Sequence, residues 1–170
     1  MKFDLNNPRT LATTGIMMAV TTVLTLIRVP IGVGYVHLGD IAVYFASFAF
    51  GPWVGLVAGG GGTALADVIS GYASFAPLTL VVHGAQGFAA GWIASQQPSI
   101  SRLALGVLAG AVIVIGGYFA GEYLIPVLGG PSQAVTEVPA NAIQEAFGAL
   151  GAVVYLGVAR AFPRLTQRTT

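Results

Sequence analysis

Glu137, Asn141, Gln144, Glu145 and Gly148 fall at i, i+4, i+7, i+8 and i+11, one stripe of a helix in an otherwise apolar stretch. Two more pairs share the pattern: Tyr118 and Glu122 lie four apart, and His83 and Gln86 three apart, each pair on one helical face. Carboxylates, amides and an aromatic ring can together accept hydrogen bonds from a small nitrogen heterocycle, read its edge and stack on its face. The same side chains also suit interhelical hydrogen bonds that hold a bundle together, and that reading stands beside the first. Tyr35, His37 and Asp40 form a further group in a stretch broken by Pro30, Gly32, Gly34 and Gly39. They suit a lid over a pocket, or simply a wetted loop.

Other chemistries find little to work with. The chain has no Cys, which removes disulfides, thiolate metal sites and cysteine nucleophiles, and its two histidines stand 46 residues apart. Ser47, Ser70, Ser74, Ser95, Ser99, Ser101 and Ser132 lack the nucleophile-and-histidine context of an intramembrane protease. Gly59-Gly60-Gly61-Gly62 is not followed by the Lys-Ser/Thr of a phosphate loop; with Gly84, Gly87 and Gly91 it suits close helix approach instead. No catalytic residue, metal ion or cofactor is expected. A net charge of +1 offers no field for nucleic acid. The competing functions are an intramembrane enzyme and a small channel or structural membrane subunit.

The elements that must position these residues are membrane spans. Only 8% of the 170 residues are charged, against about 25% in a soluble domain, so the chain cannot coat a water-facing surface. Its apolar runs predict an all-α integral membrane protein with six spans, at about 11–27, 40–50, 53–70, 77–94, 103–128 and 138–162, in a single transmembrane domain, 1–170. Gly51-Pro52 separates the second span from the third, and Gly129-Gly130-Pro131 reads as the turn before the last. No cleavable signal pattern precedes the first run, which is expected to remain a permanent span. Six spans place Lys2, Arg9, Arg102, Arg160, Arg164 and Arg168 on one side and Arg28 alone on the other. The positive-inside tendency then makes both termini cytoplasmic.

Under this topology three ionisable groups share a level in the outer leaflet. His83 lies about 9 Å inside its span, Glu122 about 9 Å and Glu145 about 10 Å, at 1.5 Å per residue. A carboxylate in hydrocarbon is expensive, so each should face protein or water, and a pocket open to the outside is expected. There Glu122 and Glu145 would accept a ligand's donors, Tyr118 would stack on its ring, and Asn141 with Gln144 would read its edge. No Lys or Arg lies at that depth, so the ligand should be neutral or cationic: a pyrimidine, pyridine or thiamine-like molecule. Asp67 is read as holding the third helix to its neighbours, and Arg28 as snorkelling to the headgroups. Ala12, Gly15 and Ala19 form a small-residue stripe on the first helix that suits internal packing or a partner helix.

Several stretches, in order along the chain, resemble a substrate-binding S component of the energy-coupling-factor (ECF) vitamin transporters, in the riboflavin and hydroxymethylpyrimidine branch. They are His37-Leu-Gly-Asp-Ile-Ala-Val-Tyr, Phe50-Gly-Pro-Trp-Val-Gly, Ala64-Leu-Ala-Asp-Val-Ile-Ser-Gly-Tyr and Phe75-Ala-Pro-Leu-Thr, followed by Gly117-Tyr-Phe-Ala-Gly-Glu-Tyr-Leu and Val138-Pro-Ala-Asn-Ala-Ile-Gln. The resemblance implies six helices, cytoplasmic termini in a prokaryotic cell membrane, and a pocket built from the first loop and the last three helices. It also implies import of a vitamin or precursor, flavins included, with a transmembrane coupling subunit and two cytoplasmic ATPases. The chain has no ATP motif of its own. Two positions depart from the pattern: His83-Gly84-Ala85-Gln86-Gly87 replaces Lys-Gly-x-Glu-Gly on the fourth helix, and Gly15-x-x-x-Ala19 replaces Ala-x-x-x-Ala on the first.

Overall fold

Asn7 starts the first helix: its side-chain oxygen accepts from the Arg9 N–H at 2.9 Å, and Pro8, which has no N–H to leave unpaired, occupies the first turn. The computed structural model describes residues 4, 6–31, 35–95 and 99–162, Tyr35 by its backbone alone. After α1 (Pro8–Leu26) come β1 (Arg28–Pro30) and β2 (Tyr35–His37), an antiparallel pair with Arg28 opposite His37. α2 (Gly39–Phe50) ends at Gly51, whose φ of +99° breaks the helix before Pro52 opens α3 (Pro52–Leu56). α3 runs through a π-helical turn (Val57–Gly61) into α4 (Gly62–Ile69). α5 (Ala76–Ser95) follows, then α6 (Ile100–Leu124), capped by Ser99, whose hydroxyl accepts from the Arg102 N–H. A 3-10 turn (Pro126–Leu128) leads to α7 (Gly130–Gly148) and, past Ala149, α8 (Leu150–Ala161).

The described residues thus form six helical units, α3–α4 and α7–α8 each counting as one. Three of them, α1, α6 and α7–α8, are long and apolar enough to cross a membrane by length and composition. The structure differs from the sequence expectation at several places, among them the end of α6, at Leu124 rather than near 128. The loop between the first two helices contains the short β1–β2 hairpin. The last unit begins at Gly130 rather than near 138, with Pro139 inside it. Ser132, Gln133, Thr136 and Glu137 dilute the apolar signal of its first turns, so hydropathy alone places the start too late.

Polarity is distributed for a bilayer. Large apolar side chains such as Ile16, Val23, Leu108, Val112 and Val153 are exposed, while Asp40, His83, Gln86, Glu122, Gln144 and Glu145 are buried. α1 turns threonines inward: Thr14, Thr21 and Thr25 each donate to the carbonyl four residues back, and Thr22 also donates to the Gly62 carbonyl of α4 at 3.0 Å. α5 sits centrally, against α2, α3, α4, the π turn and α6. Its contacts with α3 and the π turn depend on glycine. A Cβ on Gly59 would stand 2.7 Å from the His83 carbonyl oxygen, one on Gly91 2.7 Å from Pro52 Cα, and one on Gly60 would collide with the Leu80 carbonyl. Gly60→Val is therefore expected to force α5 off the π turn and cost about 1–3 kcal/mol, as overpacking does. A clear fall in the thermal midpoint of the purified protein would register it; an unchanged midpoint would mean that the two segments separate easily.

Arg9, Arg102 and Arg160 lie at one end of the bundle, at the starts of α1 and α6 and the end of α8, and Arg28 lies at the other. Lys2, Arg164 and Arg168 fall outside the described residues. The positive-inside tendency expects this basic end to be the cytoplasmic one.

Candidate functional site

At the end away from those arginines, the helix ends and loops enclose a cavity of about 350 Å³. α7 supplies its longest wall. Gln133, Thr136, Glu137, Ala140, Asn141 and Gln144 line it at i, i+3, i+4, i+7, i+8 and i+11, one face of the helix. Asp67 comes from α4, Thr79 from α5 and Tyr118 from α6, with Tyr72 and Phe75 from the connection between α4 and α5 and His37 from β2. Thr79 Oγ1 and the Tyr118 hydroxyl share a hydrogen bond of 2.8 Å.

Beneath this cavity lies a connected polar floor. Gln144 Nε2 donates to Asp40 Oδ2 at 2.8 Å, and the His37 backbone N–H donates to Gln144 Oε1 at 3.3 Å. One amide therefore ties the hairpin to α2 through α7. His83 Nδ1 lies 3.0 Å from Asp40 Oδ1 and 2.8 Å from Gln86 Oε1. Gln86 Nε2 donates to Glu145 Oε1 at 2.9 Å, and the Tyr44 hydroxyl donates to Glu145 Oε2. Two buried acids are accommodated because each accepts hydrogen bonds from neighbouring helices. The His83 ring faces His37 and Tyr118, each at 5.7 Å between centroids, which joins floor to wall. At the hairpin, loss of hydration holds the His37 imidazole far below its ordinary value, at about 4; the Asp40 carboxylate opposes this and His83 reinforces it.

Of the residues singled out in the sequence, His37, Tyr118, Asn141 and Gln144 line the cavity, and Asp40, His83, Gln86 and Glu145 build its floor. The Tyr35 side chain lies outside the described residues. Glu122 stands apart. It is buried, its carboxyl group meets that of Glu137, and it does not line the cavity. The shared depth assigned to Glu122 and Glu145 followed from the span limits: α6 ends two residues beyond Glu122, whereas Glu145 lies fifteen residues into α7. Sequence reasoning missed Gln133, Thr136 and Ala140, whose signal was the same helical stripe extended N-terminally. It gave Asp67 a structural role, which the hydrogen bond from Thr79 of α5 supports although the residue also lines the cavity, and Tyr72, Phe75 and Thr79 carried no signal of their own.

Ala12, Gly15 and Ala19 lie on the exposed face of α1, and a Cβ on Gly15 would meet nothing within 4 Å. The stripe is therefore not used in packing among the described residues.

Comparison with known proteins agrees with this architecture. The family model for "ECF-type riboflavin transporter, S component" matches residues 5–160. A Pyrococcus woesei protein described as "Uncharacterized protein in gap 3'region" is 40% identical over 131 residues, 77% of this chain and 86% of that one. The "Thiamine precursor transporter HmpT" of Lactococcus lactis subsp. cremoris (strain MG1363) is 30% identical over 80 residues, 47% of this chain and 44% of that one. A solved structure described as "Structure and mechanism of the S component of a bacterial ECF transporter" superposes with a TM-score of 0.73 at 20% identity, covering 91% of this chain and 97% of that one, which shows the shared fold.

Proposed function

The chain belongs to the ECF-type riboflavin transporter S-component family, a family of membrane transport subunits rather than enzymes, and on that premise we propose that the outer cavity captures an aromatic nitrogen heterocycle of the flavin or pyrimidine kind for import. The carrying observation is the cavity itself. Tyr72, Phe75 and Tyr118 offer ring faces, Asn141 and Gln144 offer amides, Asp67 and Glu137 offer acceptors, and no Lys or Arg lines it among the described residues. Such a lining suits a neutral or cationic ring; Arg28, whose guanidinium lies 5.0 Å from the Tyr72 ring centroid, does not itself line the cavity. A volume of about 350 Å³ is at the small end for ligand sites and fits a compact molecule.

Import needs energy that this chain does not supply. A transmembrane coupling subunit would dock on the outward face of α1 at Ala12, Gly15 and Ala19, and two cytoplasmic ATPases would drive the cycle. The channel reading has less support, because Tyr44, Phe48, Leu103 and Tyr155 pack into an apolar core below the floor. A calorimetric screen of the purified full-length protein against riboflavin, thiamine, pyridine and pyrimidine vitamins tests the reading. Tight binding of a neutral or cationic compound is expected. Tight binding of an anionic vitamin alone, or of none, would overturn it.

A further inference from the structure

Glu122 is fully buried on α6, and neither of its carboxyl oxygens accepts from an N–H or O–H of another described residue. What it meets is a second acid, the Glu137 carboxyl of α7. Glu137 is half-buried, lines the cavity and accepts from Gln133 Nε2 one turn earlier on its own helix. The acids of the floor are held otherwise: Glu145 accepts from Gln86 and Tyr44, and Asp40 from Gln144 with His83 beside it. No basic side chain plays that part here. α6 itself carries Tyr118 and Tyr123 on either side of Glu122. α5 has one ionisable residue, His83, whose ring is turned to Tyr118, and it meets the stretch before Glu122 with Leu78 against Gly121. The Pro126–Leu128 turn has no ionisable residue, and of α8 Tyr155 lies in the apolar core and Arg160 at the far end of the bundle. His37, Asp67 and Tyr72 share the cavity with Glu137.

Two ionised carboxylates in contact repel and have no donor between them, and the buried one has no water to offset its charge. A single proton removes both difficulties, because one acid then donates an O–H to the other in a short charge-assisted bond. We propose that Glu122 and Glu137 form a proton-binding site that clamps α6 to α7 at the cavity wall. The proton arrives by way of the cavity, since Glu137 is the member that lines it. The Gln133 amide donates to Glu137, which suits Glu137 as the ionised member and Glu122 as the donor. The pair then carries one negative charge instead of two. Loss of the proton leaves like charges across the α6–α7 contact and loosens the wall. Stability therefore falls as pH rises through that loss, because the native state gives up a bond it holds only when protonated. None of this depends on which vitamin the cavity takes.

Thermal midpoints of the full-length protein in detergent, from about pH 6 to about pH 9, test the site together with infrared spectra of the same samples. The wild-type midpoint should fall by about 3–5 °C per pH unit once the proton is being lost, and the carbonyl band of a protonated carboxyl should fade in parallel. Glu122→Gln keeps the shape and gives Glu137 a permanent N–H donor. Its midpoint should match the wild type at the acid end and exceed it at the alkaline end, with one carboxyl band missing. Glu137→Gln is the second variant, offers the donor from the other side, and should flatten the profile likewise. Wild-type and variant profiles that run parallel would overturn the site. So would a wild-type spectrum without a protonated-carboxyl band at the acid end, which needs no variant. Recovery of the alkaline midpoint by Na⁺ or Ca²⁺ would place a metal cation between the acids and overturn the proton.

Discussion

Gly15→Leu is expected to reduce uptake by whole cells to background while leaving the purified protein's affinity for its vitamin unchanged. Gly15 is exposed on α1, nothing lies within 4 Å of where its Cβ would be, and Ala12 and Ala19 continue the small-residue stripe. Larger neighbours flank it, with Leu11 and Ile16 51% and 62% exposed, so the stripe forms a shallow groove along the helix. Within lipid there is no hydrophobic drive between helices, and association depends on the close backbone approach that small residues permit. A leucine would fill the groove without touching the bundle or the cavity at the far end. Labelled-vitamin uptake compared with calorimetry on the same variant reads the two effects separately. Parallel loss of both would place the stripe in the protein's own packing.

Asp40→Ala should produce the largest loss of stability. Asp40 is fully buried, accepts from Gln144 and lies 3.0 Å from His83 Nδ1. Removing it strands an amide and an imidazole in the floor, and breaking one partner of a buried charged set costs about 3–5 kcal/mol. The effect should reach the ligand, because Gln144 also holds the His37 backbone and so fixes the hairpin at the cavity wall. A large fall in the thermal midpoint, with weakened vitamin binding in whatever protein stays folded, is the expected result. A wild-type midpoint would show that water replaces the carboxylate and that the floor contributes little.

The sequence spoke clearly where polar residues interrupt apolar runs. His83, Gln86, Asn141, Gln144 and Glu145 announced themselves because ionisable or amide groups inside a span need partners, and the structure brings them to one cavity and its floor. Span limits were harder to read. Gly130-Pro131 serves equally as a turn or as the first turn of a helix, and the polar residues that follow are the cavity wall itself, so the feature that makes α7 functional hides its start. That error moved Glu145 too near the surface and set it level with Glu122. Asp67 illustrates a different limit. Its place in α4 is evident from sequence, but whether its carboxylate meets a neighbour or a cavity depends on how α4, α5 and α6 pack.

The absence of Cys makes the central claim directly measurable, because a single introduced cysteine reports from one place only. Thr136 is exposed and lines the cavity on α7, so Thr136→Cys puts a thiol at the proposed entrance. With intact cells, a membrane-impermeant maleimide should label it from outside, and the heterocycle that binds in calorimetry should protect it in proportion to occupancy. Labelling only after the membrane is permeabilised, or labelling that saturating ligand does not slow, would contradict an outward-facing capture site between the hairpin and α4–α7.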